Sequence, residues 1–167
     1  MSLSFTNPVQ QLTYTKVSEY LSISALFKNN LKASLDQPKF EITYGSALVE
    51  VEVQSWDVHP WETADLAIVK ASSCVTVGSR INSELMSYLL SENRRMRFGT
   101  FCLGEANLRE AHSVWFAHSV LGGENMDLLE LQTCILSVVT IADTYDDLIV
   151  ERFGGQRGVD RILPLGG

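Results

Sequence analysis

The three histidines of this chain, His59, His112 and His118, are the side chains best suited to acid–base chemistry or metal binding. His112 and His118 would share one face of a predicted strand, but six residues at about 3.3 Å each place them about 20 Å apart. A metal ion with ligand bonds of about 2 Å cannot join side chains at that distance. His59 has no neighbouring ligand in the sequence. We therefore expect structural or surface histidines rather than catalytic or metal-binding ones.

Three aspartates, Asp143, Asp146 and Asp147, lie close together in a stretch predicted to be helical. Asp143 and Asp147 are one turn apart and could bind a cation, but like charges at this spacing are more usual on a solvated helix face. The sequence also lacks the GxxxxGK[ST], GxGxxG, HExxH and GxSxG patterns of nucleotide, dinucleotide, zinc and serine-hydrolase sites. We therefore expect a protein that is not an enzyme and holds no metal or other cofactor.

The cysteines and the N-terminus indicate the compartment. Cys74, Cys102 and Cys134 are an odd number without CxxC spacing, which is typical of reduced thiols in a reducing compartment. The N-terminus has neither the basic nor the apolar region of a secretory signal, and no apolar run reaches the roughly 18 to 20 residues of a membrane-spanning helix. We expect a cytoplasmic protein with no membrane partner.

The formal net charge of -7 has the wrong sign for a nucleic-acid-binding protein, which needs clustered positive charge. Arg94, Arg95 and Arg97 are the one locally basic segment. Arginines at the end of a helix are more often partners of the helix dipole and solvated surface than a phosphate site. No nucleic-acid partner is expected.

The stretch from Ile81 to Leu103 predicts an amphipathic helix that runs through the basic segment into a strand. Four apolar residues at the spacing i, i+4, i+7 and i+8 form its buried stripe, with Ser79 as a plausible N-cap: Ile81, Leu85, Tyr88 and Leu89. Met86 and Leu90 fall on the opposite side, so a second apolar strip would be exposed. This strip predicts contact with a partner, although single exposed apolar residues are also common on protein surfaces.

The N-terminal half predicts one helix and three strands. A helix begins at Asn7-Pro8 and fades near Asn29 and Asn30. Residues 40–44 and 47–54 alternate between apolar and polar side chains around a Gly45-Ser46 turn, which predicts a hairpin. A third strand covers residues 66–77.

The segment between the second and third strands carries Trp56 and Trp61 in a loop, residues 55–65. Two large aromatic side chains in a loop can anchor a partner. They can equally fold back and seal one end of the core, and that is the interpretation we favour.

The C-terminal half predicts strands over residues 98–103 and 108–120, and a long helix that begins at Asp127 and closes on Ile149. The order is therefore α-β-β-β-α-β-β-α, an α+β domain with helices packed on a five-stranded antiparallel sheet. Residues 1–153 form a single domain in this prediction. Residues 154–167 are rich in glycine and are expected to be a loosely ordered tail.

The strings RFGTFCLGE, EAHSVWFAHSVLGG and ADTYDDLIVERFGG follow INSELMSYLLSENRRM in this chain. Their arrangement resembles the type III secretion chaperone-like fold, and within it the YbjN-like branch of bacterial proteins, including cyanobacterial ones. That branch has a helix ending in N-x-x-x-x-F-G-x-F, a strand ending in HS and a last helix closing on Y-D-D-x-I. The matching residues are Asn93, Phe98, Gly99, Phe101, His118, Ser119, Tyr145, Asp146, Asp147 and Ile149.

The resemblance implies a domain that is commonly a homodimer and has no catalytic residues. Secretion chaperones of this fold bind an unfolded stretch of a cargo protein along apolar grooves. Our leading hypothesis is a non-enzymatic, chaperone- or adapter-like homodimer that binds an unfolded or extended protein segment, with Met86, Leu90, Trp56 and Trp61 as candidate contact residues. The alternative is a small-molecule-binding regulatory protein with a pocket lined by Trp56, Trp61 and Trp115.

Overall fold

The computed structural model describes residues 3–104 and 112–162. Its helices are α1 (Pro8–Ile23), α2 (Ser83–Asn93), α3 (Leu128–Phe153) and α4 (Gly158–Ile162). Its strands are β1 (Leu31–Ala33), β2 (Lys39–Tyr44), β3 (Ala47–Ser55), β4 (Ala67–Val77), β5 (Thr100–Leu103), β6 (Ser113–Leu121) and β7 (Gln156–Arg157). A 3₁₀ turn, Lys28–Asn30, lies between α1 and β1.

All the described strands pair antiparallel, in the spatial order β1-β2-β3-β4-β6-β5, with β7 on the end of β4. The predicted α+β class with an antiparallel sheet is confirmed. The predicted count of five strands is too low, because the described sheet has seven. β1 and β7, with three and two residues, are too short to show an alternation of apolar and polar side chains.

The hairpin of β2 and β3 follows the predicted alternation. Ile42 pairs with Val49 and Phe40 pairs with Val51, and all four side chains are buried. Gly45 makes the turn at φ +59°, a left-handed conformation that glycine adopts without a steric penalty.

The helix α3 covers one face of this sheet, packing on β3, β4 and β6. Asp127 caps it as predicted, because its side chain accepts a hydrogen bond from the backbone N–H of Glu130. The inward side of α3 is apolar except at Asp146, with Leu131, Ile135, Val138 and Ile149 fully buried. On the other face of the sheet the side chains are half-buried and polar, with an ion pair of 3.0 Å between Lys39 and Glu50.

The helix α1 is shorter than predicted. It begins at Pro8 with Asn7 as its cap, as expected, but it ends at Ile23 rather than near Asn29. Ser24 takes an extended backbone, and Phe27 reaches the core from the turn that follows. Phe27, the last apolar residue of the predicted helix, is therefore buried by tertiary packing and not because it lies on a helix face.

The helix α2 is capped by Asn82, so the prediction of Ser79 as N-cap is wrong. The hydroxyl of Ser79 instead donates to the backbone carbonyl of Gly154 and lies 2.9 Å from the hydroxyl of Thr76. Thr76 is buried because the register of β4 against β6 shifts between Cys74 and Thr76, which turns this side chain inward.

The strand β6 begins at Ser113 rather than Leu108, and residues 108–111 of the prediction lie outside the described residues. The predicted tail also differs from the structure, because residues 156–162 form β7 and α4 against β4. Gly158 permits this close approach, since an added Cβ would lie 2.1 Å from the carbonyl oxygen of Cys74. Residues 163–167 of the predicted tail lie outside the described residues.

Gly99 supplies a test of the turn into β5. It has φ +75°, and an added Cβ would lie 2.6 Å from the ring of Phe116. We expect Gly99→Ala to lower the free energy of unfolding by about 2–4 kcal/mol, since backbone strain and overpacking act together. Urea denaturation measures this change.

The matched control is Gly45→Ala, at φ +59° with no atom within 4 Å of the added Cβ. This variant carries the backbone penalty alone, about 1–2 kcal/mol. Equal losses in the two variants would show that Gly99 does not need to lie against Phe116.

Candidate functional site

Met86 and Leu90 are exposed on α2, with 44% and 69% of their surface accessible. Of the predicted buried stripe, Leu85 and Leu89 lie in the core, whereas Tyr88 and Ile81 are half-buried and Ile81 precedes the helix. Met86, Leu90 and Asn93 follow one another at i, i+4 and i+7, so they form one stripe along the helix surface. Whether a partner covers Met86 and Leu90 stays a prediction.

Asn93, at the end of this stripe, holds the outer edge of β5. Its side-chain Oδ1 accepts a hydrogen bond from the backbone N–H of Phe101 at 2.5 Å, and its Nδ2 donates to the Phe101 carbonyl at 3.1 Å. One amide side chain therefore takes the place of a neighbouring strand at this residue. An unpaired strand edge is a template for another chain, and here it is closed at Phe101.

Leu103 lies two residues beyond Phe101, with its backbone groups pointing to the same outer edge. The helix α2 and the strand β5 pack against each other, so Leu90 and Leu103 belong to neighbouring elements. Both leucines are exposed. We define the α2–β5 edge by the exposed apolar side chains of these two elements, Met86, Leu90 and Leu103.

A groove lies between the turn from α2 to β5 and the outer surface of α3. Its volume is about 490 Å³, and it is open to solvent. The groove is lined by Arg95, Met96, Arg97, Phe98, Thr133, Leu136, Ser137, Thr140 and Ile141. Phe98 is 51% exposed and its ring packs against His118, with the two ring centroids 5.5 Å apart. We call this feature the α3 groove.

The α3 groove has more positive than negative charge around it. The guanidinium of Arg95 lies 3.5 Å from the carboxylate of Glu92, whose side chain is mostly buried. The hydroxyl of Tyr145 donates to the same carboxylate at 2.5 Å, and burial, with Glu92 as a second cause, raises the pKa of Tyr145 to about 12. Arg97 is exposed and forms no ion pair with the described residues.

A family model described as T3SS (YopN, CesT) and YbjN peptide-binding chaperone 1, or TY-Chap1, matches residues 24–161. The chain belongs to this family. The match runs from the end of α1 into α4 and includes the whole described sheet, so it confirms the resemblance to YbjN-like proteins. No curated protein matches the chain.

The α2–β5 edge and the α3 groove both lie within the part of the chain that matches TY-Chap1. None of the described helices combines the length and the hydrophobicity needed to cross a lipid bilayer.

The three tryptophans do not share a pocket in the described structure. Trp56 is joined to the start of β4 by a hydrogen bond from its backbone N–H to Leu66, whereas Trp115 pairs with Cys74 of the same strand. Eight residues along β4 separate these two points, or about 26 Å. The predicted aromatic pocket is therefore not supported.

The loop of residues 55–65 only partly seals the core. Trp56 is half-buried and packs edge-on against His59, with ring centroids 5.5 Å apart. Trp61 is 63% exposed, and its backbone N–H donates to the imidazole of His59. The structure therefore does not support sealing by Trp61, and its contact with a partner stays a prediction.

The pKa values of three further titratable side chains are shifted mainly by burial. Burial lowers the pKa of His118 and raises the pKa of the Cys134 thiol to about 12. Burial also raises the pKa of Asp146, a buried residue of α3, whereas Asp143 on the same helix is exposed. Among the described residues, no three His, Cys, Asp or Glu side chains are placed to hold a metal ion.

Periodicity alone did not predict the α3 groove, although the sequence contains a signal for it. Residues 131–142 of α3 include no charged side chain, so the outward turns of the helix are uncharged as well as the buried ones. An ordinary surface helix carries charges on its outer face. The second signal, the arginines before Phe98, lies more than thirty residues away, and only the fold brings the two together.

Replacement of Asn93 tests its role at the sheet edge. We expect Asn93→Ala to lower the free energy of unfolding by about 1–3 kcal/mol, because it leaves the Phe101 N–H and C=O without their partner. Amide hydrogen exchange at Phe101 should also become faster. Asn29→Ala, at an exposed position of the 3₁₀ turn, is the control and should change stability by less than about 0.5 kcal/mol. Unchanged exchange at Phe101 would contradict the assignment.

Proposed function

We propose that this protein is a non-enzymatic, chaperone- or adapter-like module that binds an extended segment of another polypeptide in the α3 groove. The observation that carries the proposal is an open, largely apolar groove of about 490 Å³ on a helix whose outer face lacks charge over three turns. An exposed apolar surface of this kind marks an interaction site more often than a random feature of the surface. The membership of the TY-Chap1 family supports the same function, since the family is described as peptide-binding.

The shape of the groove favours a polypeptide over a small molecule. Small-molecule sites usually enclose most of the ligand surface, whereas the α3 groove is open along α3. The polar groups that α3 contributes to it are the hydroxyls of Thr133, Ser137 and Thr140, which are spread along two turns rather than converging on one point. Such a surface suits side chains of an extended segment that lie in succession along the helix.

The proposed homodimer uses the α2–β5 edge. Met86, Leu90 and Leu103 are all exposed, and Leu103 lies in the part of β5 that Asn93 does not close. A second copy can place the same apolar edge against this one, because a two-fold interface is self-complementary. The turn from α2 to β5, which lines the groove, connects the two elements of this interface.

Peptide binding is tested with a panel of fluorescein-labelled apolar peptides of about twelve residues, measured by fluorescence anisotropy. We expect Phe98→Ser to weaken the binding about tenfold, because it removes an exposed aromatic side chain from the groove. Trp61→Ser removes a similarly exposed aromatic side chain elsewhere, and binding should stay as in the wild type. A loss in Trp61→Ser alone would move the site to the tryptophan loop, and no binding by the wild type would reject the proposal.

The dimer is tested by sedimentation velocity at several protein concentrations. Met86→Ser combined with Leu90→Ser should raise the dissociation constant of the dimer by about tenfold or more, because two apolar contacts become polar. The control pair is Ile23→Ser with Leu35→Ser, since both side chains are at least as exposed as Met86 and lie on other elements. A double α2 variant of wild-type size would show that the interface lies elsewhere.

A further inference from the structure

We infer that the α3 groove selects segments in which apolar residues are flanked by carboxylates, so that the partner of this protein is an acidic, apolar stretch of polypeptide. The inference rests on the proposed function, because it names the chemical class of the segment that the groove binds. It depends on three features: the apolar floor, the arginines on one wall, and the lack of negative charge on the other wall.

The floor of the groove accounts for the apolar part of the segment. Met96, Leu136 and Ile141 are half-buried and also pack against the core, so their inner atoms are held in place while their outer atoms face the groove. Phe98 forms the most exposed part of the lining. Water over these side chains would be released when an apolar residue of a partner covers them, which favours binding.

The wall formed by the turn from α2 to β5 carries positive charge. Arg94, Arg95 and Arg97 lie within four residues of one another in a chain whose net charge is -7. Arg94 and Arg95 lie at the end of α2, where a cation also compensates the helix dipole. Arg97 lies four residues past the last residue of α2, beyond the reach of that effect, so the dipole does not explain its charge.

The arginines of the wall remain available to a ligand. The side chain of Arg95 is 78% exposed, and its one ion pair among the described residues is with Glu92, at 3.5 Å. Glu92 also accepts the hydrogen bond of Tyr145, so its charge is shared between two partners. Arginine presents several N–H donors in a planar fork that matches a carboxylate, and a second carboxylate can therefore bind without displacing Glu92.

The opposite wall, on α3, adds no competing negative charge. The described residues that line the groove include two arginines and no Asp or Glu, although the whole chain has 20 acidic residues and 13 basic ones. A segment rich in Asp and Glu is repelled by most of this acidic surface and attracted at this wall. That contrast directs such a segment to the groove and disfavours a basic one.

Three labelled peptides of equal length and identical apolar residues, flanked by Glu, Gln or Lys, test the inference by fluorescence anisotropy. We expect the Glu peptide to bind most tightly and the Lys peptide least. The preference for Glu over Gln should shrink as salt is raised, because exposed ion pairs are screened. Arg95→Gln combined with Arg97→Gln should weaken binding of the Glu peptide about three- to tenfold and leave the Gln peptide nearly unchanged.

The matched control is Lys28→Gln combined with Lys32→Gln. Both lysines are exposed and lie at the opposite side of the sheet, near β1, and their removal changes the net charge by the same amount. This control should bind all three peptides nearly as the wild type does. An equal loss of Glu-peptide binding in the control would show an effect of net charge alone and would overturn the inference.

The remaining outcomes separate the inference from the proposed function. Equal affinity of the wild type for the Glu and Gln peptides overturns the acidic preference while peptide binding stands. Binding of none of the peptides removes both. If the arginine variant instead changes the sedimentation of the protein, a second copy of the chain occupies the groove, and the inference of a separate acidic partner is overturned.

Discussion

The packing of α3 across one face of the sheet is the interaction on which the rest of this structure depends. An antiparallel sheet with one apolar face needs a cover, and a helix of 26 residues with a wide apolar side provides it across β3, β4 and β6. α1 and α2 then fill the two sides that α3 leaves open. Val17 and Leu21 of α1 and Leu85 and Leu89 of α2 are buried in the same cluster as the inner residues of α3.

The same packing determines which surfaces remain for binding. Since the inner side of α3 packs on the sheet, its outer side, which is uncharged over residues 131–142, is left to solvent. The turn from α2 to β5 passes close beside this stretch. Gly99 allows that turn to cross against Phe116, and Phe98 is thereby held against His118 at the border of the groove. The glycine that this close crossing requires therefore also helps to position Phe98 in the groove.

The two outer strands of the described sheet are protected in different ways. β1 has three residues and carries Lys32, and short edge strands with lysine discourage pairing with other chains. β5 is closed at Phe101 by the side chain of Asn93, while the neighbouring Leu103 stays exposed. An exposed apolar side chain next to a strand edge that is closed at only one residue is consistent with the proposed use of the β5 side in binding.

Local periodicity in the sequence determined the hairpin of β2 and β3, the capped helix α3, the exposed Met86 and Leu90, and the α+β class. These features depend on neighbours within a few residues, which a repeat of two or of 3.6 residues reveals. Tertiary structure alone decided the end of α1, the bulge in β4, the attachment of β7 and α4, the bond of Asn93 to Phe101 and the α3 groove. These features depend on how volume, burial and hydrogen bonding fit together in the folded chain. In β4, β7, α4 and the groove, the contacts also join residues that are far apart in the sequence, and no local repeat encodes such contacts.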